Sequence, residues 1–176
     1  IHLGRRLNED EGHHVLGLAR RLVALVPRCL KRGARSHAQP REPSEVDKLL
    51  AQPFEDSPKG LRDRAILETL YSTGCRVSEC AGIDLGAIDL HEGTARVLGK
   101  GSKERIAMLG RPALDAIQQW LPARTRLLTE RKAPDHGGLW LNRLGKRLSA
   151  RWIFETVVAR ARQADLQTRL TPHGLR

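Results

Sequence analysis

Residues 94–109 read TARVLGKGSKERIAML, and their reading decides the fold. Thr94–Leu98 and Glu104–Leu109 alternate with the period of two expected of half-buried strands. The five residues between them, Gly99-Lys100-Gly101-Ser102-Lys103, hold two glycines, so the pair reads as an antiparallel hairpin. Ile88–Leu90 is expected to add a third strand before a turn at His91-Glu92-Gly93.

Working outward, the pattern turns helical on both sides. Ser44 caps an expected helix with Glu45 and Asp47 in its first turn, and Pro53 stops it. A second helix is expected from about Leu61 to Ser72, with Leu61, Ala65, Ile66, Thr69 and Leu70 on one side and Gly74 as its breaker. A short helix follows at Val77–Gly82. Beyond the hairpin, helices are expected at Arg111–Leu121, with Pro112 near N1, and at Ala150–Ala164, capped by Ser149. Leu139-Trp140-Leu141 reads as a short buried segment, and Thr171-Pro172-His173 as the N-cap, N1 and N2 of a last helix. The expected fold class is mixed α+β, mainly helical, with a small three-stranded antiparallel sheet.

Upstream, Val15, Leu18, Leu22, Leu25 and Val26 have helical spacing, and Pro27 ends or kinks that helix. Residues 31–43, KRGARSHAQPREP, are basic, rich in Pro and Gly and poor in apolar side chains, as a linker is. The expected organisation is a helical segment at 1–30, a linker at 31–43 and a globular domain at 44–176.

Over 176 residues the chain carries 31 Lys+Arg and 20 Asp+Glu, a net charge of +11. The excess is confined to one half: residues 96–176 hold 17 basic and 6 acidic side chains, whereas residues 1–95 hold 14 of each. Plain solubility does not need that asymmetry, whereas a face that binds a polyanion does, because each cation placed on a phosphate releases counterions. No apolar run reaches the ~18 residues of a membrane span, and Arg20-Arg21 interrupt the best stretch, Val15–Val26. Cys29, Cys75 and Cys80 lack CxxC spacing and a neighbouring histidine set, so neither a metal nor another cofactor is expected, and the thiols suit a reduced, cytoplasmic setting. No signal peptide is evident, and the first residue is Ile1 rather than Met, so the sequence is expected to be a piece of a longer one.

Three stretches could carry chemistry. In Ser72–Glu79, STGCRVSE, Glu79 lies three residues after Arg76 and can hold its guanidinium; a plain surface ion pair would have the same spacing. In Gly99–Arg105 three cations, Lys100, Lys103 and Arg105, sit at a glycine-rich hairpin tip that could approach a phosphate backbone, or could merely keep the hairpin soluble. A lysine there could protonate a leaving oxygen. In Thr171–Arg176, TPHGLR, His173 and Arg176 share one helix face at a helix start, as an anion site would, although an ordinary capped helix reads alike. Tyr71, the single tyrosine, is expected to pack in the core or at its boundary.

Taken together and in order, TGCRVSE, GKGSKER and TPHGLR resemble the first-arginine, β-hairpin lysine and HxLR boxes of the tyrosine recombinase (phage integrase) family, and within it the Xer-like recombinases. LWLNRLGKRLS, residues 139–149, is similar to the segment that precedes the family's HxLR helix, and the resemblance covers about Ser44–Arg176. It implies a tyrosine recombinase catalytic domain preceded by the remnant of a helical core-binding domain. It also implies that Arg76 is the first catalytic arginine, His173 and Arg176 the His–Arg pair, and Lys100 the general acid. Glu79 would support the site, and Lys103 and Arg105 would bind DNA.

The family's reaction is attack by a tyrosine on a DNA phosphodiester, giving a 3′-phosphotyrosyl link and a free 5′-hydroxyl without metal or ATP. The implied partners are double-stranded DNA and a homo- or hetero-tetramer assembled on it, with no membrane. The family's nucleophilic tyrosine lies downstream of HxLR, and Tyr71 lies before Arg76. The expectation is therefore a chain cut before its nucleophile, inactive as given and a recombinase when complete. A DNA-binding module without chemistry is the alternative from another class. A type IB topoisomerase-like enzyme would share the phosphate chemistry, but the Xer-like boxes argue against it.

Overall fold

The structure is a computed structural model that describes residues 44–99, 101, 103–166 and 172–175. The expected upstream helix and linker fall outside the described residues.

Three of the helices begin where a serine side chain, Ser44, Ser57 or Ser149, satisfies one of the open N–H groups. Helix α1, Glu45–Ala51, opens on a reciprocal box: Ser44 Oγ accepts the Asp47 N–H at 3.1 Å, and the Asp47 carboxylate accepts the Ser44 N–H at 2.9 Å. Helix α2, Pro58–Thr73, starts earlier than the expected Leu61, because Ser57 accepts the Gly60 N–H at 3.1 Å and Pro58 fits N1. It ends at Gly74, whose φ of 57° is the left-handed conformation that suits glycine. This is the central helix, packed by α1 and by every later helix named below, and Asp63, Ala65, Ile66, Leu67, Thr69 and Leu70 are all buried on it.

Helix α3, Val77–Ala81, and a 3-10 turn at Leu85–Ala87 lead into the sheet. Strands β1, Ile88–Asp89, β2, Thr94–Leu98, and β3, Glu104–Met108, pair antiparallel in the order β1-β2-β3. Thr94 pairs with Met108 and Leu98 with Glu104, and the Gly99 N–H donates to the Lys103 carbonyl at 2.8 Å to close the hairpin neck. The expected alternation holds: Ala95, Val97 and Ala107 are buried on one face, while Leu98, Ile106 and Met108 stay exposed on the other.

Helix α4, Arg111–Arg131, overruns its expected end at Leu121 by ten residues, with Pro122 inside it. An interior proline costs about 3 kcal/mol in helix propensity. Here the burial of Ala123, Arg124, Leu127 and Leu128 beyond it outweighs that cost. Helix α5, Ala150–Gln163, starts at Ser149 as expected, and a 3-10 turn at Pro172–Leu175 packs on α2 and α5.

Two buried indoles pin the 139–141 segment between the helices. Trp120 Nε1 donates to the Leu139 carbonyl at 2.9 Å, and Trp140 Nε1 to the Cys80 carbonyl at 3.0 Å, so large apolar area is buried without orphaning either N–H. The architecture is thus mainly helical with one small three-stranded antiparallel sheet, as the sequence leads one to expect. Among the described residues no helix is long and apolar enough to cross a membrane.

Candidate functional site

Arg76 is the N-cap of α3, and Glu79 is N3. The Glu79 carboxylate accepts the Arg76 backbone N–H at 2.9 Å and the Arg76 guanidinium, also at 2.9 Å, so one side chain holds both ends of the arginine. Cys75 and Cys80, buried at N′ and N4, flank this box as a hydrophobic staple does and fix the angle at which the chain enters the helix. The spacing alone equally suited a surface ion pair, but Glu79 is only 6% exposed, whereas the Arg76 side chain is 59% exposed. A buried carboxylate thus presents an open guanidinium.

A second arginine arrives from the sheet. Arg105, on β3, donates from Nη2 to Glu79 Oε2 at 3.1 Å and keeps 42% of its side chain exposed. Burial raises the Glu79 pKa. The Arg76 backbone N–H and the two guanidiniums more than offset that, and the carboxyl is held below the usual carboxylate range. Lys103 is exposed at the base of the hairpin tip. The structure therefore brings Arg76, Glu79 and Arg105 together, with Lys103 on the adjoining hairpin. Lys100, Arg176 and the side chain of His173 lie outside the described residues.

The turn that carries His173 has a described frame. Leu175 is buried, and the turn sits on α2 and α5. Those two helices are locked to each other by Arg160, which is 2% exposed. Its Nη2 donates to Asp63 at 2.9 Å and to Glu55 at 2.7 Å, and its guanidinium lies 5.1 Å over the Phe54 ring. No motif marked this cluster in the sequence, because Arg160 and Asp63 are 97 residues apart.

One expectation about nucleophiles changes. Tyr71 is 50% exposed, not packed in the core or at its boundary. On α2, the Asp63 side faces Arg160 of α5 and the Ser72 side faces Met108 and Gly110, and Tyr71 falls between those two packed sides. Cys75 is lowered to about 7, chiefly by a hydrogen bond from Cys80 and against its own burial, with Arg105 as a minor contributor. At 1% exposure its sulfur cannot reach a substrate. Among the described residues no group of three or more His, Cys, Asp or Glu side chains is placed to hold a metal ion.

Residues 42–176 match the model of the phage integrase family. The chain is 44% identical over 134 residues to tyrosine recombinase XerC of Halalkalibacterium halodurans, covering 75% of this chain and 44% of that protein. It is 44% identical over 138 residues to tyrosine recombinase XerD of Bifidobacterium longum, covering 75% of this chain and 45% of that one. The chain thus spans less than half the length of these relatives. Among solved structures, the XerA recombinase superposes with a TM-score of 0.63 at 21% identity, over 97% of this chain and 59% of that one. The XerH site-specific recombinase, in a post-cleavage complex with a palindromic difH substrate, gives 0.60 at 21% identity, over 74% of this chain and 36% of that one. At that identity these two speak for the fold.

Proposed function

Because the chain belongs to the phage integrase family, we propose that it supplies the phosphate-binding half of a site-specific DNA recombinase of the Xer type, acting on double-stranded DNA in the cytoplasm. Residues 44–176 are the catalytic domain in this reading, 31–43 the linker, and 1–30 the end of the core-binding domain. The observation that carries it is the Arg76 guanidinium, 59% exposed and held by the buried Glu79 carboxylate, within residues 42–176 that match the family model.

Arg76, with His173 and Arg176, stabilises the charge that builds on phosphorus as a tyrosine oxygen attacks. Lys100, at the hairpin tip, protonates the departing 5′-oxygen, and Lys103 adds a backbone contact. The attacking tyrosine comes from the segment that the family places after HxLR. The working assembly is a tetramer of recombinase protomers on DNA. The similarity to XerC and XerD favours this reading over a type IB topoisomerase or a DNA-binding module without chemistry.

The test is cleavage of a nicked suicide substrate, on duplex DNA recovered by binding selection. Residues 1–176 alone should give no covalent protein–DNA band, whereas a chain continued to the downstream tyrosine should give one. In the continued chain Lys100→Ala should slow cleavage far more than it weakens binding, and a 5′-thiol leaving group, which needs no proton, should restore most of the loss. A band from residues 1–176 that disappears in Tyr71→Phe would overturn the assignment of the nucleophile.

A further inference from the structure

Among the described cations of the hairpin, Arg105 is the one that the sheet turns toward Glu79. Its neighbours on β3, Glu104 and Ile106, belong to the exposed face, and Arg105 shares a face with buried Ala107 and pairs in register with buried Val97. From that face it reaches Glu79 Oε2 at 3.1 Å, while Glu79 Oε1 holds Arg76 at 2.9 Å. The hairpin neck lies over the same carboxylate: a Cβ built on Gly99 would stand 3.8 Å from Glu79 Oε1 and 3.4 Å from the Lys103 carbonyl. Glu79 is therefore tied to the start of α3 through Arg76 and to strand β3 through Arg105, with Gly99 of the neck close by.

We propose that Arg105 is a positioning residue: held by Glu79, it fixes the hairpin neck against the Arg76 site and sets where the tip lysine stands relative to Arg76, without itself contacting a DNA phosphate. The proposal rests on the recombinase reading for the role of the tip, and on the geometry alone for the strut. Both arginines meet Glu79, but Arg105 stands on the sheet face of buried Ala107 and is the less open of the two, 42% exposed against 59% for Arg76. The Arg105 guanidinium is well placed to couple two elements that are 26 residues apart.

The experiment compares the 176-residue chain with its Arg105→Gln variant in two measurements. In hydrogen exchange the Gly99 amide, which closes the neck on Lys103 at 2.8 Å, should exchange at least about tenfold faster in the variant. The Leu109 amide, bonded to the Gly93 carbonyl at 2.8 Å at the far end of the hairpin, should keep its rate. Arg105→Lys, which returns a cation within reach of Glu79, should recover Gly99 protection. Should Arg105→Gln expose every amide, Glu79→Asp, which draws the carboxylate back by one methylene, is read in the same way. In duplex-DNA binding, the slope of log K against log salt should be the same for wild type and variant, whereas loss of a direct phosphate contact would flatten it by about 0.9. A flatter slope, or Gly99 exchange that does not change, overturns the proposal. If the wild-type chain shows no salt-dependent DNA binding, the recombinase reading fails, and the exchange measurement alone decides the strut.

Discussion

Two ion clusters in this domain are inverses of each other. Around Arg160 one arginine is buried between two carboxylates, Asp63 and Glu55. Around Glu79 one carboxylate is buried between two arginines, Arg76 and Arg105. In the first, the guanidinium donors are consumed: Nε and Nη2 go to Asp63, Nη1 and Nη2 to Glu55, and Nη1 also to Gln163. In the second, the negative charge is enclosed, Arg76 keeps an open guanidinium, and Arg105 ties the sheet to the carboxylate. The same residue types make a structural clamp in one arrangement and an anion-facing site in the other. Which charge is buried separates the two.

The clamp should show the larger effect on stability. Arg160→Ala leaves buried Asp63 with Lys59 and Arg62 as its ion partners among the described residues, and removes the ionic link between α5 and α2. Urea denaturation should show a loss of about 3 kcal/mol, the lower end of the range for breaking a buried pair. A loss under about 1 kcal/mol would reduce the clamp to the level of a surface ion pair.

Acid should weaken both clusters. Glu55 is held at about 2, chiefly by its hydrogen bond from Arg160. Asp135 is held at about 2, chiefly by the one from Arg124, and Glu79 lies below its ordinary value despite burial. Each folded pKa is lower than the unfolded one, so the stabilisation is present above about pH 4 and is lost as pH falls toward about 2. Denaturation midpoints should drop across that window, and Glu55→Gln should make the drop shallower. A flat profile from pH ~5 to ~2 would contradict the ion-pair assignments.

A smaller effect is expected at the hairpin. Lys103 is exposed and touches DNA in the proposed reading, so Lys103→Ala should leave stability unchanged and flatten the salt dependence of binding by about 0.9. An unchanged slope would remove Lys103 from the DNA face.

Much of this was legible in the sequence because it is local. The caps at Ser44 and Ser149, the Gly74 stop and the alternation of 94–109 each involve side chains within a few residues of the backbone they satisfy. Arg76 and Glu79 were legible for the same reason. The end of the helix from Arg111 was not legible at Leu121, because the burial of Leu127 and Leu128 that carries it through Pro122 is tertiary. Tyr71 misled because a helix packed on two sides still leaves an open strip, whose position depends on where its neighbours sit. The Arg160 cluster had no local signal at all. The contact from Arg105 to Glu79 lies between these cases: the two-residue period places Arg105 on the face of Ala107, and so inward, although its charge suggests the surface.

The inversion of the two clusters can be read most directly in DNA binding. The measurement is the slope of log K against log salt, from ~50 to ~200 mM, for the 176-residue chain and for its Arg76→Gln and Arg160→Gln variants, each shown to be folded under the conditions used. Salt-dependent binding is expected for all three, with the slope flattened by about 0.9 in Arg76→Gln and unchanged in Arg160→Gln. Binding indifferent to salt, or an Arg76→Gln slope equal to that of wild type, would contradict the claim that the open guanidinium on the buried carboxylate addresses a phosphate.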